Sequence, residues 1–333
     1  MTFGRWVFGL ALLGLLLAGC AGEVPPPPTP GAAPPTPGAE AAPAVDRPTL
    51  APTTAPTPLP LPSGTAPLTP TSLPEPSATP AKAHALPPER WQEWPVIPEV
   101  GESARALYQR GLAAGANPQA FSKVGDCQNV DTYFLGVFDD PQKYRLGEHT
   151  DLDGAIAQFQ GSYSRRSAAV RGGFNVASVL SPLKSDPAVC AKGETPLECE
   201  TRLHNPSIVF ISMEQWWSNR PVSLYEDYLR QVVTFFVERG IVPILATKAD
   251  NLEGEHRINA AVARVAYDFD LPLWNFWAAV QPLPSHGLWG DGFHLTYAQS
   301  FFDDPQMMKQ AWPVRNLTAL QSLDTVWRFV SQP

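Results

Sequence analysis

Aromatic residues are missing from a long stretch near the start of this 333-residue chain. Residues 21–90 contain no Phe, Trp or Tyr, although 22 of the 38 prolines lie there. Such a stretch cannot bury enough apolar surface to offset the conformational entropy lost on folding. Its Pro-Thr, Pro-Pro and Ala-Pro steps favour polyproline II, so we expect a disordered linker over residues 21–90. Nearly all aromatic residues follow it, which predicts one folded domain over residues 91–333.

Basic clusters and the common cofactor motifs are absent from the sequence as well. The formal net charge is −8 with no run of Lys or Arg, so the electrostatic footprint of a nucleic-acid partner is missing. There is no dinucleotide fingerprint and no phosphate-binding loop. The six histidines are scattered, and neither C-x-x-C nor H-x-x-x-H spacing occurs. We therefore expect no nucleic-acid partner, no cofactor and no metal site.

The first twenty residues have the features of a secretory signal peptide, which we place at residues 1–20. Arg5 precedes an apolar run over residues 7–17, which is too short for a stable transmembrane helix. The run ends in Leu-Ala-Gly-Cys, with the cysteine at Cys20. This ending resembles the bacterial lipoprotein box, in which the cysteine becomes the lipidated first residue of the mature protein. The resemblance implies an extracytoplasmic protein that is anchored to a membrane through acyl chains on Cys20. Whether this is the inner or the outer membrane stays open.

Apolar runs alternate with amphipathic stretches over the rest of the chain. The predicted strands are residues 120–125, 167–171, 207–212, 241–247 and 271–277. The predicted helices are residues 102–114, 151–160, 224–239, 255–268 and 311–330. This alternation predicts βαβ units and hence an α/β fold, a three-layer αβα sandwich with a parallel sheet of about five strands. In such sheets ligands bind beyond the carboxyl ends of the strands.

Two polar motifs stand where that edge of the sheet is expected. Gly125, Asp126 and Cys127 follow the first predicted strand, and Asp291 and His294 form a D-x-x-H step before the last helix. An aspartate can hold the tautomer of an imidazole while the other ring nitrogen faces a nucleophile. The two motifs together therefore indicate a nucleophile and its base. We expect Asp126 to organise its turn by accepting backbone N–H groups.

These motifs resemble the blocks of the SGNH/GDSL hydrolase family, over about residues 121–327. The family has Gly-Asp-Ser after its first strand, where this chain has Cys127 in place of the serine, and its last block is Asp-x-x-His. The resemblance implies a flavodoxin-like fold and hydrolysis or transfer of an acyl ester. Cys127 would attack the carbonyl, His294 would act as general base and then acid, and Asp291 would orient His294.

The family's oxyanion donors are less well matched. After the second strand a glycine N–H is expected to contribute, and the candidates are Gly172, Gly173 and Asn175 with the register left open. The family's third block is Gly-x-Asn-Asp, and this chain has Glu214, Gln215 and Trp216 at its first three positions. These three and Asp126 are predicted to line the pocket. Trp216 cannot copy the asparagine donor, so the amide of Gln215 or Asn175 is the candidate replacement.

The cysteines of the predicted domain are Cys127, Cys190 and Cys199. An extracytoplasmic compartment permits disulfides, and Cys190 and Cys199 lie nine positions apart in a stretch with Gly and Pro, so they can pair. That pairing would leave Cys127 as a reactive thiol. A disulfide from Cys127 to one of the others, or an inert buried thiol, stays open at this point.

Two functions from different classes fit these features. The first is a membrane-anchored enzyme that hydrolyses or transfers an acyl ester on a small ester or glycan substrate, through Cys127, His294 and Asp291. The second is a catalytically inactive module on the same scaffold that binds carbohydrate or envelope polymer, since Trp216 replaces an oxyanion donor. A structural surface protein, whose linker presents a stable domain, is a further alternative. The sequence leaves the oligomeric state open.

Overall fold

The computed structural model describes residues 82–216 and 220–332 of the chain. The predicted signal peptide, the lipidation site at Cys20 and most of the predicted linker lie outside the described residues. Within the described ranges, every helix is too short or too polar to span a bilayer.

The central feature of the domain is a parallel sheet. The strands are β1 (Asn117–Gly125), β2 (Tyr144–Arg145), β3 (Pro206–Ser212), β4 (Val242–Ala246), β5 (Leu273–Trp274) and β6 (Ser300–Phe301). Four of them form one parallel sheet in the order β1-β3-β4-β5, and β2 pairs with β6 in a separate parallel pair. Every residue of β3 and β4 is buried, as expected for strands covered on both faces.

Helices lie on both sides of this sheet, so the domain is an α/β fold. They are α1 (Glu102–Ala113), α2 (Asp153–Gln158), α3 (Pro196–His204), α4 (Val222–Glu238), α5 (Arg257–Phe269), α6 (Phe276–Val280) and α7 (Ala311–Ser331). Helix α4 packs against α5, and α1 packs against α7. Because β1, β3 and β4 are parallel, their carboxyl ends lie at one edge of the sheet, where the loops that follow them can meet.

The second predicted strand is the main difference from the sequence-based expectation. Residues 167–171 make a single parallel bridge, between Val170 and Gly125, on the free side of β1. Two hydrogen bonds hold it, from Gly125 N to Ala169 O at 3.1 Å and from Arg171 N to Gly125 O at 3.3 Å. Turns on either side end the pairing, since Val170 N bonds Ser167 O. The described sheet therefore has four strands and one added bridge.

Local capping explains two further differences. Helix α3 was not predicted; Thr195 begins it with a capping box to Glu198 and Pro196 occupies its first turn. The second difference is in residues 271–277, which the sequence predicts as one strand. The strand is only two residues long, because the side chain of Asn275 accepts a hydrogen bond from Ala278 N and starts α6.

The folded part also begins before residue 91. His84 is buried, its ring stacks on Trp94 with centroids 4.0 Å apart, and its Nε2 lies 2.8 Å from Leu271 O. The described residues 82–90 therefore pack on the domain, because His84 contributes a stacked ring and a polar contact. The composition of the predicted linker gives no reason to expect either contact.

A close approach of two backbone segments fixes how α1 sits against the turn after α4. A Cβ atom added to Gly111 of α1 would lie 2.1 Å from the carbonyl oxygen of Gly240, which itself has φ +74°. No side chain fits there, so both glycines are required by contact and the second also by its backbone conformation.

We expect Gly111→Ala to destabilise the domain by roughly 1–3 kcal/mol, because the backbone carbonyl cannot move aside. Helix propensity alone predicts the opposite sign, a gain of about 1 kcal/mol. Urea unfolding followed by circular dichroism measures the difference, with Gly290→Ala as control because an added Cβ there meets no described atom within 4 Å. A Gly111→Ala protein more stable than the wild type would contradict the contact.

Candidate functional site

The Gly-Asp step after β1 forms a tight turn with a defined packing reason. Asp126 begins a 3₁₀ turn over Cys127–Asn129. The side chain of Asn129 passes over Gly125 and donates from Nδ2 to Ser212 O at 2.8 Å. A Cβ at Gly125 would lie 2.1 Å from that Nδ2 atom. Glycine is therefore needed for Asn129 to join the ends of β1 and β3.

Asp126 is a buried organiser of two loops. Its Oδ1 accepts from Gln128 N at 3.0 Å, within its own turn. Its Oδ2 accepts from Glu214 N at 2.9 Å and Gln215 N at 3.0 Å, in the loop after β3. Burial raises the pKa of Asp126, while these backbone donors and Arg315 act to lower it. The side chain thus holds the loop that carries the thiol against the loop that carries residues 214–216.

The Cys127 thiol lies at this junction and is half-buried. The side-chain amide of Gln215 donates to its sulfur, with Nε2 3.7 Å from Sγ. Gly172 also packs against Cys127, since a Cβ there would be 3.7 Å from the Cβ of Cys127. Cys190 and Cys199 form a disulfide with each other, and Cys199 lies in α3. Cys127 therefore keeps its thiol.

Asp291 and His294 form a local pair in the loop before α7. Asp291 Oδ1 accepts from Phe293 N and His294 N, both at 3.0 Å, and its Oδ2 lies 2.6 Å from His294 Nδ1. The hydrogen bond from the His294 side chain has the largest effect, and together with the two backbone donors it lowers the pKa of Asp291 to about 2. An ionised carboxylate can only accept, so Nδ1 carries the hydrogen and Nε2 is the basic nitrogen of the neutral ring.

The segments that carry the thiol and the imidazole are in contact. Gln128, next to Cys127, donates from Nε2 to the carbonyl oxygen of Phe293, next to His294, at 3.3 Å. The contact joins positions 165 residues apart in the chain. It brings the turn after β1 and the D-x-x-H loop to the same edge of the sheet.

A cavity of about 450 Å³ opens beside this contact. Its lining residues come from the loops after β3 and β4, from α4 and α5, and from Phe293: Glu214, Gln215, Trp216, Arg220, Val222, Lys248, Leu252, Glu253, Arg257, Ile258 and Phe293. Lys248 is buried, with Nζ 2.6 Å from Asp250 Oδ1 and 2.7 Å from Glu253 Oε2. The cavity therefore has an apolar part and a part of buried, paired charge.

The three oxyanion candidates differ in where they lie. Gly172 lies against Cys127, as described above. A Cβ at Gly173 would have no described atom within 4 Å. The Asn175 side-chain oxygen accepts from Ala177 N at 3.1 Å and Ser178 N at 3.2 Å, so it caps the following turn. The geometry thus places Gly172 and the Gln215 amide beside the thiol.

Sequence reasoning missed Arg315, a fully buried residue of α7. Its Nη2 lies 2.9 Å from Glu214 Oε1 and donates to Ser212 Oγ at 2.9 Å. Its guanidinium packs against four rings, those of Phe134, Trp274, Phe276 and Trp312. Burial, opposed by Arg315, raises the pKa of Glu214 to about 7. The available signal was one arginine inside an apolar stretch of a helix, which must be paired if buried.

Comparison with known proteins gives no relative from which to transfer a function. No family model, no curated protein and no solved structure matches the chain. The chemistry of the site therefore rests on the contacts described above.

The raised pKa of Glu214 predicts a pH-dependent contribution to stability. Its pKa is 4.5 ordinarily and about 7 in the folded state, so the folded protein binds more protons between those values. Stability is then fully present below the lower value and is lost as the pH rises toward 7. We expect Glu214→Gln, which cannot ionise, to gain in free energy of unfolding relative to the wild type as the pH rises from about 5 to about 7.

Urea unfolding of both proteins at several pH values measures this difference. Glu226→Gln is the matched control. Burial acts to raise the pKa of Glu226, but its hydrogen bonds from Arg264 and Arg230 outweigh burial and lower it. The effect of this variant changes at acid pH, below the ordinary pKa of Glu226, and not between 5 and 7. Curves for Glu214→Gln and wild type that run parallel over that range would exclude a raised pKa at Glu214.

Proposed function

We propose that this protein is a membrane-anchored, extracytoplasmic lipoprotein whose domain is an SGNH/GDSL-type hydrolase or acyl transferase acting on ester bonds. The observation that carries the proposal is the hydrogen bond from Gln128 to the Phe293 carbonyl, which joins the thiol segment to the segment of the Asp291–His294 pair. A nucleophile, a base with a fixed tautomer and its orienting carboxylate are the parts that acyl transfer needs.

In the proposed reaction, each step of acyl transfer is carried out by a specific residue. Nε2 of His294 takes the proton from the Cys127 thiol, and the thiolate attacks the ester carbonyl. Backbone N–H groups of Cys127 and Gly172 and the amide of Gln215 stabilise the oxyanion. His294 then protonates the departing alkoxide, which leaves a thioester on Cys127. Water, or a second alcohol, attacks the thioester and releases the acid or the transferred ester.

The fold supports this reading at the level of architecture. A parallel sheet with helices on both sides is the arrangement that a three-layer, flavodoxin-like SGNH domain requires. The groups invoked above follow β1, β3 and the bridge at residues 167–171 or precede α7, at the carboxyl edge where ligands of such sheets bind.

A binding module without catalysis is the second candidate, and Trp216 is the observation that favours it. Its indole packs edge-on against Tyr225 with centroids 5.6 Å apart and lines the cavity of about 450 Å³. An aromatic wall there suits a carbohydrate or envelope polymer, and it stands where an oxyanion donor is expected. Turnover decides between the two functions.

We expect Cys127→Ala to abolish hydrolysis of short p-nitrophenyl esters and His294→Gln to lower it by at least about a hundredfold, since each removes a reacting group. Iodoacetamide at neutral pH should alkylate Cys127 in the wild type and stop turnover. Mass spectrometry locates the label, and Cys127→Ser separates loss of the thiol from loss of packing.

The matched control is His286→Gln, a loop histidine outside the proposed triad, which should keep wild-type turnover. A wild-type protein that hydrolyses none of these esters, with a thiol inert to iodoacetamide, would leave the binding module as the function.

The anchor is tested separately from the chemistry. We expect the wild type to fractionate with membranes in a bacterial host and to carry an acyl-modified Cys20, because two or more acyl chains hold a protein stably on a bilayer. Cys20→Ser should appear in the soluble fraction. Detergent-phase partitioning with mass spectrometry of the mature N-terminus is the measurement, and an unmodified Cys20 in the mature protein would refute the lipoprotein assignment.

A further inference from the structure

A second cavity, of about 510 Å³, lies between two segments that follow the proposed reacting groups in the chain. One wall is the loop after the Cys127 turn, residues 131–137, and the other is the segment after His294, residues 297–301. Gln142, Lys143 and Ser164, with Trp312 and Asn316 of α7, complete it. None of these residues lines the first cavity, so the two cavities are separate.

Aromatic rings form one surface of this cavity. Tyr133 stacks on Trp312 with centroids 5.3 Å apart and planes 28° apart, and Tyr297 meets Tyr133 edge-on at 6.1 Å. Tyr133 is 45% exposed and Tyr297 is 59% exposed, although both are large rings. Trp312 is buried below them and fixes Tyr133 in place. The result is an exposed aromatic surface of two nearly perpendicular rings, and exposed ring faces are what apolar faces of ligands stack on.

The rest of the lining is mixed and carries little charge, since Gly136, Val137, Ala298 and Phe301 lie among polar residues. Thr132, Gln142 and Gln299 are exposed on the walls, and a hydroxyl or a side-chain amide both donates and accepts hydrogen bonds. The charged members of the described lining are Asp131 and Lys143, and Lys143 Nζ already lies 3.2 Å from Asp140 Oδ2. A phosphate or carboxylate ligand would lack a matching cluster of cations, and an acyl chain would leave the amides and hydroxyls facing hydrocarbon.

We propose that this cavity is a subsite for a neutral oligosaccharide, with one pyranose unit stacked on Tyr133 and a neighbouring unit on Tyr297, because the two rings are 82° apart. A pyranose has apolar C–H faces and a rim of hydroxyl groups, and the cavity offers rings for the former and amides and hydroxyls for the latter. In the proposed function it holds the sugar part of a glycan ester, and this role alone rests on that function. Binding of the sugar itself does not.

The test is saccharide binding by the full chain carrying Cys127→Ala, so that turnover plays no part. Chitotetraose and cellotetraose are titrated by isothermal calorimetry and by saturation-transfer NMR. We expect binding of at least one, and a loss of about tenfold or more in affinity for Tyr133→Ala and for Tyr297→Ala. Tyr297→Phe should keep most of the affinity, because it retains the stacking ring. Leu183→Ala, which removes a side chain 94% exposed on another loop, is the control.

Each outcome bears on the proposal. Saccharide binding that both alanine variants retain would overturn it and move the sugar elsewhere, for example to Trp216. Absence of binding for both saccharides would also overturn it, and so would displacement by octanoate, which would make the cavity an acyl pocket. Equal thermal unfolding of the variants shows that the fold is kept. Ester turnover without sugar binding would leave the proposed function standing, whereas sugar binding without turnover would leave only the subsite.

Discussion

The carboxylate of Asp126 is the contact on which the rest of the candidate site depends. It is fully buried, and its two oxygens accept backbone donors from its own turn and from residues 214 and 215. A buried carboxylate that lost these donors would keep its desolvation cost and lose most of the groups that offset it. The hydrogen bonds from residues 214 and 215 to Asp126 therefore hold the thiol loop against the loop after β3. They also place the Gln215 amide next to Cys127.

Arg315 extends this constraint from the loops to the last helix. Its guanidinium bonds the Glu214 carboxylate and Ser212, while Asn129 bonds the carbonyl of Ser212. The turn after β1, the end of β3 and α7 thus share one buried polar network. The network is partly satisfied, since Arg315 Nε and Nη1 and Glu214 Oε2 have no hydrogen-bond partner among the described residues. Removal of either charge would still leave the other buried in a low-dielectric interior.

The parts of the site that sequence could supply are those fixed by short-range geometry. Asp291 and His294 are three positions apart, and one loop turn is enough to bring their side chains together. The Gly-Asp turn after β1 is also local. The contacts from Asp126 to residue 214 and from Gln128 to Phe293 join distant segments, and no periodicity encodes them. The same holds for Arg315. Residues 167–171 were predicted as a strand from composition, but backbone turns limit them to one bridge.

The exposure of the reacting groups determines how a substrate has to bind in the proposed reaction. The side chains of Asp291 and His294 are 50% and 59% exposed, in contrast to the buried network around Asp126. An exposed imidazole works next to water, so the substrate itself has to exclude solvent as it binds. His294 lies in the chain between Phe293, which lines the first cavity, and Tyr297, which lines the second. In the proposed function, a substrate whose acyl group and sugar fill both cavities therefore excludes more water around this loop than a short ester that fills one.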